Sequence, residues 1–386
     1  MSELPLPSWY CIGWTVGSSM LRKLFRRDHH SVVGLIKGEE ATTVAYHIPE
    51  FAAQGKALVL RVPSKQQRPV VLFSPCTQGM AKDSDPSSSS RVGVHLKFWP
   101  HFDAVLAYEH PVALMMLRGG ADVIMVDHPR DVDSGVQLYC DHDAAAAALH
   151  AAYSEAAKQH LVNPNAPVGI WGFSQGGGAA AAALMSAPPK VRVGVVGAPP
   201  VHLREVLHRI DGTSATGLIA YAIAGLAVRT KDLSREALGG LNRRGKKIVD
   251  ACVHQCATAT VIRYGTFDTS HWTINRQRLE MLFVGPPALR AEFARLRLDD
   301  PARPTPPTGV PIKLWATRFD DLMPFGSIEH LGRIWKNAGV DLLFEVRGRH
   351  RIPGRTTLNH MLPYYRHARR DIAWMLGQLK STPATR

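Results

Sequence analysis

The sequence predicts an α/β fold, a mostly parallel sheet flanked by helices and interrupted by a helical insertion, and three observations carry that prediction. Short β-rich runs alternate with helical patterns from Lys56 to Gly197, the rhythm of βαβ units. Between Pro199 and Pro307 this gives way to helical, apolar stretches, and it resumes at Val310. At 168–178 the chain reads VGIWGFSQGGG, a strand that runs through Gly172-Phe173-Ser174-Gln175-Gly176 straight into an Ala-rich helix.

Composition agrees. Of 386 residues, 45% are apolar and 20% charged, the balance of an ordered chain able to bury a large core. The expected organisation is a first part of the sheet domain over 1–198 with an irregular N-terminal arm, a helical cap over 199–307, and the second part of the sheet domain over 308–386.

Taken in order, residues 1–55 carry few periodic signals and read as the arm, with short strands. Residues 57–62 and 69–74 are β-rich runs either side of a turn-like stretch, expected as adjacent strands. The Ser, Pro and Asp content of 83–90 reads as a surface loop. Residues 110–118 form a helix stopped by Gly119-Gly120, 121–127 a buried strand, and 141–160 an acid-started, Ala-rich helix. After the helix at 177–187 comes a strand at 191–197. In the insertion, 216–228 (TGLIAYAIAGLAV) is the longest apolar run, short of the ~20 residues a membrane span needs. A Pro-rich stretch at 301–307 closes it. Strand 310–316, helix 327–338, strand 340–346 and helix 364–379 complete the sheet domain.

The G-x-S-x-G pattern has a chemical reading. A strand that turns into a helix around Ser174 leaves no room for a Cβ at the flanking positions, which are Gly172 and Gly176. The turn lifts Ser174 Oγ above the sheet and points the unpaired N–H groups of the helix start at the atom under attack. A serine hydroxyl is a weak nucleophile and needs a base, and the base needs an acid to orient it. On an α/β-hydrolase fold these follow in the order Ser, Asp or Glu, His. The strand at 310–316 opens into Thr317-Arg-Phe-Asp-Asp-Leu-Met-Pro, so the acid is Asp320, with Asp321 as the alternative. For the base, His350 stands directly past the last strand and His360 at the entry to the last helix; His367, inside that helix, is expected to face solvent.

Other features narrow the partners. Lys and Arg outnumber Asp and Glu, 46 to 32, but the basic residues are scattered or in pairs, with no aromatic-basic platform for nucleic acid. Such a field suits an anionic membrane or interface. Five cysteines, Cys11, Cys76, Cys140, Cys252 and Cys256, are too few and too spread for a disulfide framework. Cys252 and Cys256, four apart, read as two small buried residues; no metal and no cofactor is expected. Residues 4–20 are broken by Pro5, Pro7, Gly13 and Gly17, with the basic cluster after them, so no signal peptide is read here.

Several stretches together resemble one family: Arg68-Pro-Val-Val-Leu-Phe-Ser-Pro-Cys-Thr-Gln-Gly-Met, Gly120-Ala-Asp-Val-Ile-Met-Val-Asp, Trp171-Gly-Phe-Ser-Gln-Gly-Gly-Gly, Asp320-Asp-Leu-Met-Pro, and Leu358-Asn-His-Met-Leu-Pro ahead of Trp374. From about residue 40 to 380 the chain is similar to the secretory lipases, lipase-A-type α/β-hydrolases of fungi and actinobacteria. The resemblance implies an α/β-hydrolase fold with an inserted helical cap and cleavage of carboxylic esters, acylglycerols among them. It favours His360 over His350 as base. It places oxyanion donors at Gln175 and Asp127, where the family has an Asp-x-x-Gly turn and this chain has Asp127-His128-Pro129-Arg130. The cap would line an acyl pocket with Leu218, Ile219, Tyr221 and Ile223. The family implies secretion or the cell envelope, while the missing signal keeps the cytoplasm open. Two further readings are acyl transfer to an alcohol on the same triad, and a catalytically silent relative whose cap binds lipid or a partner.

Overall fold

Val44, Tyr46 and Ile48 point inward while Ala45 and His47 point out, and this period of two builds β1 (Glu40–Ile48). A computed structural model describes residues 39–64, 67–92, 94–97, 103–186 and 190–381. The expectations for 1–38, Cys11 and the signal peptide among them, lie outside the described residues. A tight turn at Pro49–Phe51, with Ala52 at φ 46°, sends β1 back as β2 (Ala53–Arg61). The arm expected over 1–55 is thus, from Glu40 on, a regular nine-residue strand paired along its length with β2. Its alternation was legible in Val44, Tyr46 and Ile48.

β3 (Val70–Ser74) follows, buried throughout. The segment expected as a surface loop at 83–90 instead holds a 3-10 turn, Lys82–Ser84, and helix α1 (Pro86–Val92). Its Ser, Pro and Asp content serves buried bonds: Asp85 pairs with Arg130, and Ser87 N–H and Oγ–H donate to the Asp127 carboxylate. A small hairpin, β4 (Val94–Lys97) with β5 (Asp103–Leu106), precedes α2 (His110–Arg118), β6 (Asp122–Val126) and the short β7 (Arg130–Asp131). Helix α3 (His142–Lys158) begins where Asp141 accepts the Ala144 N–H. Then come β8 (Val168–Phe173), α4 (Gln175–Met185) and β9 (Val191–Gly197).

The main sheet runs β1-β2-β6-β3-β8-β9 and on to β10 (Ile312–Thr317) and β11 (Leu342–Arg347). All pairings from β6 to β11 are parallel; β1, β2 and β7 pair antiparallel. β2 and β3 are not neighbours, contrary to the sequence expectation, because β6 returns through the α2 crossover and takes the place between them. Opposite faces of β8 carry different helices. A Cβ on Gly172 would meet α4, and one on Gly169 would meet the last helix, α13, whose bounds are Leu358–Ser381.

Between β9 and β10 the chain is helical: α5 (Leu203–Ile210), α6 (Leu218–Ala227), α7 (Lys231–Gly239), α8 (Arg243–Cys252), α9 (Ala257–Tyr264), α10 (Leu279–Leu282) and α11 (Pro287–Arg295). Helix α6 is the apolar run read from the sequence, buried from Ile219 to Leu226. Cys252 ends α8 and Cys256 caps α9, both buried. The insertion rests on the loop after β3, where Ala257 N–H donates to Gln78 O at 2.9 Å and Met80 N–H to Gln255 O at 3.1 Å. Helix α12 (Phe325–Asn337) lies between β10 and β11.

The last helix starts at Leu358, six residues earlier than expected, and Pro363 sits inside it. Proline's fixed φ suits a helix, and so near the start it removes a single intrahelical bond, the one to Asn359 O. Among the described residues no helix is long and apolar enough to cross a membrane.

Candidate active site

Ser174 stands between β8 and α4 at φ 59°, ψ −122°. A non-glycine residue held there stores strain of ~1–3 kcal/mol, so the surrounding packing has to impose it. It does. A Cβ on Gly172 would come within 1.9 Å of Gly176 O, and one on Gly176 within 2.0 Å of Ser74 O. Strand, helix and the end of β3 are pressed together at the turn, and Ser174 N–H is fixed on Gly197 O at 2.9 Å.

Two other candidates meet beside it. Asp320 follows β10 and is fully buried; its Oδ1 accepts Leu322 N–H at 2.8 Å and Met323 N–H at 2.9 Å, and its Oδ2 lies 2.8 Å from His360 Nδ1. With the carboxylate so fixed, Nδ1 is the protonated nitrogen and Nε2 is left to accept. His360 Nε2 is buried and has no hydrogen-bond partner among the described residues. The His360 ring stacks at 4.7 Å on Phe173, the residue before Ser174. His350 is exposed, and His367, expected to face solvent, is half-buried.

Asp321 has a different task. Its Oδ2 accepts from Asn359 Nδ2 at 2.8 Å, while Asn359 also accepts Ile352 N–H and donates to Ile352 O. One aspartate therefore faces the imidazole and the next holds the residue preceding it. The Asn of Asn359-His360 was in view in the sequence, but its partner 38 positions away was not.

On the anion side, Gln175 opens α4 with its N–H unpaired within the helix. Its side chain is pinned: Thr77 Oγ1 donates to Oε1 at 3.1 Å, and Nε2 donates to Gln137 Oε1 at 3.2 Å. Asp127 is occupied elsewhere. Its N–H donates to Lys56 O at 2.9 Å, its carboxyl receives Ser87, and its carbonyl accepts the Tyr46 hydroxyl. Burial, and then the charge of Asp85, push the Asp127 carboxyl well above the usual range. That N–H is thus committed to strand β2. Thr77, which the sequence reading did not select, lies in the loop after β3, half-buried, its N–H without a hydrogen bond among the described residues.

Of the residues expected to line an acyl pocket, Ile219, Tyr221 and Ile223 are buried and Leu218 is half-buried. The Tyr221 hydroxyl is tied to Gln255 O and Thr260 Oγ1. A groove of about 540 Å³ lined by His47, Asp143, His150 and Arg303 lies apart from these residues. Among the described residues no group of three or more His, Cys, Asp and Glu could hold a metal ion.

Comparison with known proteins agrees with the fold and with the family. A secreted triacylglycerol lipase of Malassezia restricta is 23% identical over 149 residues, 39% of this chain and 31% of that protein. A probable inactive lipase of Mycobacterium tuberculosis is 30% identical over 188 residues, 47% of this chain and 40% of that one. The matched stretches thus span less than half the length of these relatives. Among solved structures, Candida antarctica lipase A in its closed state superposes with a TM-score of 0.66 at 15% identity, covering 86% of this chain and 77% of that one. The rice cell wall degrading esterase of Xanthomonas oryzae gives 0.69 at 14% identity, covering 88% and 91%. At such identities the likeness is one of fold, the α/β-hydrolase fold. The family described as secretory lipase matches residues 105–386, more than half of the chain, and the protein belongs to that family.

Proposed function

We propose that the protein is a carboxylic ester hydrolase acting on lipid or small-molecule esters of the acylglycerol type, through an acyl-enzyme on Ser174. The observation that carries this reading is the His360–Asp320 pair, bonded at 2.8 Å and packed on the residue before a strained serine.

In this scheme Ser174 Oγ attacks the ester carbonyl carbon and its proton passes to His360 Nε2. Asp320 holds the imidazole in the right tautomer and stabilises the imidazolium. The carbonyl π pair moves onto oxygen, where the N–H groups of Gln175 and Thr77 receive it; such donors are commonly worth several kcal/mol of barrier. Thr77 takes the place expected of Asp127, whose N–H is engaged with Lys56. The intermediate collapses, the alcohol leaves with the proton from His360, and the acyl group stays on Ser174. Water, deprotonated by His360, then attacks the acyl carbon, and the acid departs as Ser174 regains its proton. An alcohol in place of that water would give acyl transfer.

The helical run between β9 and β10 serves in this proposal as a cap, 199–307, dividing the sheet domain into 1–198 and 308–386, with Leu218, Ile219, Tyr221 and Ile223 on its substrate side. A second reading, a silent lipid binder, draws support from the engaged Asp127 and from the relative described as a probable inactive lipase. A fluorophosphonate probe separates the two. The hydrolase reading expects covalent labelling that is absent from Ser174→Ala, together with release of p-nitrophenol from short- or long-chain esters. Labelling that persists in Ser174→Ala sinks it, and neither labelling nor release in the unaltered chain favours the silent protein.

A further inference from the structure

Glu109 is a carboxylate with no step in the scheme above, and it is 1% exposed. It stands at the N-cap of α2 yet makes no capping bond to that helix. Its side chain turns to two other elements instead. Oε2 accepts the Cys76 N–H and, at 3.4 Å, Gln78 Nε2–H; Oε1 accepts the Tyr364 hydroxyl at 2.8 Å. The neighbouring residue also joins both elements: the Tyr108 hydroxyl donates to Thr77 O, and the Tyr108 backbone carbonyl accepts from the Tyr365 hydroxyl at 3.3 Å. Residues 108 and 109 thus rivet the loop after β3 to helix α13. An ionised carboxylate is acceptor-only, with room for several donors, which lets one side chain hold donors from two elements.

Both elements carry proposed reacting groups. The N–H that Glu109 takes belongs to Cys76, and the next N–H along is that of Thr77. Tyr364 lies one helical turn past His360. Its ring lies parallel on Phe173 at 4.2 Å, the ring on which His360 also stacks.

We infer that Glu109 is a positioning residue for the acyl transfer, setting where the Thr77 N–H and the His360 ring stand relative to Ser174. The inference rests on the hydrolase reading. Among the described residues, the titratable groups that face Glu109 are Tyr108 from its own segment, Cys76 from the loop after β3, and Tyr364 and Tyr365 from α13. Burial pushes each of them up, so all four are neutral near pH 7. Burial also pushes the Glu109 carboxyl up to about 7, against the pull of its donors, Tyr364 first. Protonation turns one acceptor position into a donor and weakens the rivet.

The test compares Glu109→Ala and Glu109→Gln with the unaltered full chain, by p-nitrophenyl ester hydrolysis and by amide hydrogen exchange over 76–78 without substrate. Glu109→Ala is expected to lower kcat roughly tenfold to a hundredfold with KM within about threefold, the signature of displaced groups and not of lost substrate contact. Exchange at Cys76 should rise at least about tenfold. Glu109→Gln keeps an acceptor for the Cys76 N–H, so it should recover most of kcat while its kcat–pH profile loses an ionisation near 7. If Glu109→Ala does not fold, the pH profile of Glu109→Gln decides: an unchanged profile overturns the inference. An active chain in which Glu109→Ala keeps kcat within about twofold and leaves exchange at 76–78 unchanged also overturns it. An unaltered chain that neither labels nor releases product overturns the hydrolase reading instead.

Discussion

Glu109 and His110 are chain neighbours, both buried, and they respond to pH in opposite senses. His110 has no hydrogen bond on either ring nitrogen among the described residues, and burial lowers it to about 4. The unfolded chain therefore takes the proton first: stability is present above the ordinary value of 6.5 and is lost as pH falls towards 4. Glu109, raised to about 7, contributes stability below the ordinary carboxylate range that is lost as pH rises through 7. His128 and His142, also lowered to about 4 by burial, add to the acid side. His110→Met should leave unfolding at pH 7.5 little changed and flatten its fall between pH 6.5 and 4, by at most about 1.4 kcal/mol per pH unit. Urea melts across that range measure it; a parallel curve for the variant counts against the account. Ser174, Asp320 and His360 were open to proposal from the sequence because each sits in a short pattern. Thr77 and Glu109 were not, since their meaning comes from partners such as Tyr364, 255 positions from Glu109.

At the level of elements, the β8–turn–α4 unit was the most legible part of the chain, because a steric demand writes itself into sequence as glycine. That demand can be tested directly. Gly176→Ala would put a methyl 2.0 Å from Ser74 O, a backbone atom that can yield only if β3 moves. The expected cost is about 3 kcal/mol or more, read as a lower urea midpoint; a midpoint unchanged from the parent would refute the packing argument. Other elements were misjudged for physical reasons. Ser, Pro and Asp at 83–90 resemble a solvated loop, yet their polar atoms are spent on Asp127 and Arg130 in the interior. The last helix, expected from residue 364, begins at Leu358 with Pro363 inside it. Strand order escaped the sequence reading because β-propensity states that 57–62 and 69–74 are strands, not which neighbours they choose.

For the whole molecule, exposed basic and exposed apolar residues both occur in the helical insertion. Ile262, Phe267, Ile274 and Met281 are each more than 60% exposed, all within the helical insertion. Arg243, Arg244, Lys246, Lys247, Arg263 and Arg276, all exposed, lie in the same stretch of chain. Exposed apolar side chains and exposed basic residues in one stretch would suit the headgroup boundary of an anionic bilayer. Co-sedimentation should find the protein on phosphatidylglycerol vesicles and not on phosphatidylcholine alone, with binding weakened as salt shortens the ~10 Å screening length. Phe267→Glu with Ile274→Glu should abolish it. Equal binding to both vesicles, or indifference to salt and to the double substitution, would remove this surface from consideration.

The contact between the insertion and the loop after β3 has a mechanical meaning. Gly79, at φ 127°, forms a bridge with Cys256, flanked by the bonds from Ala257 to Gln78 and from Met80 to Gln255. A Cβ on Gly79 would stand 2.5 Å from Cys256 Cα, so there is no slack at this seam. Two residues upstream of Gly79 is Thr77. Here the insertion is bonded directly to the turn that, on the hydrolase reading, would hold the reacting oxygen. On the hydrolase reading, a graft that exchanged the whole insertion would alter turnover as well as substrate choice.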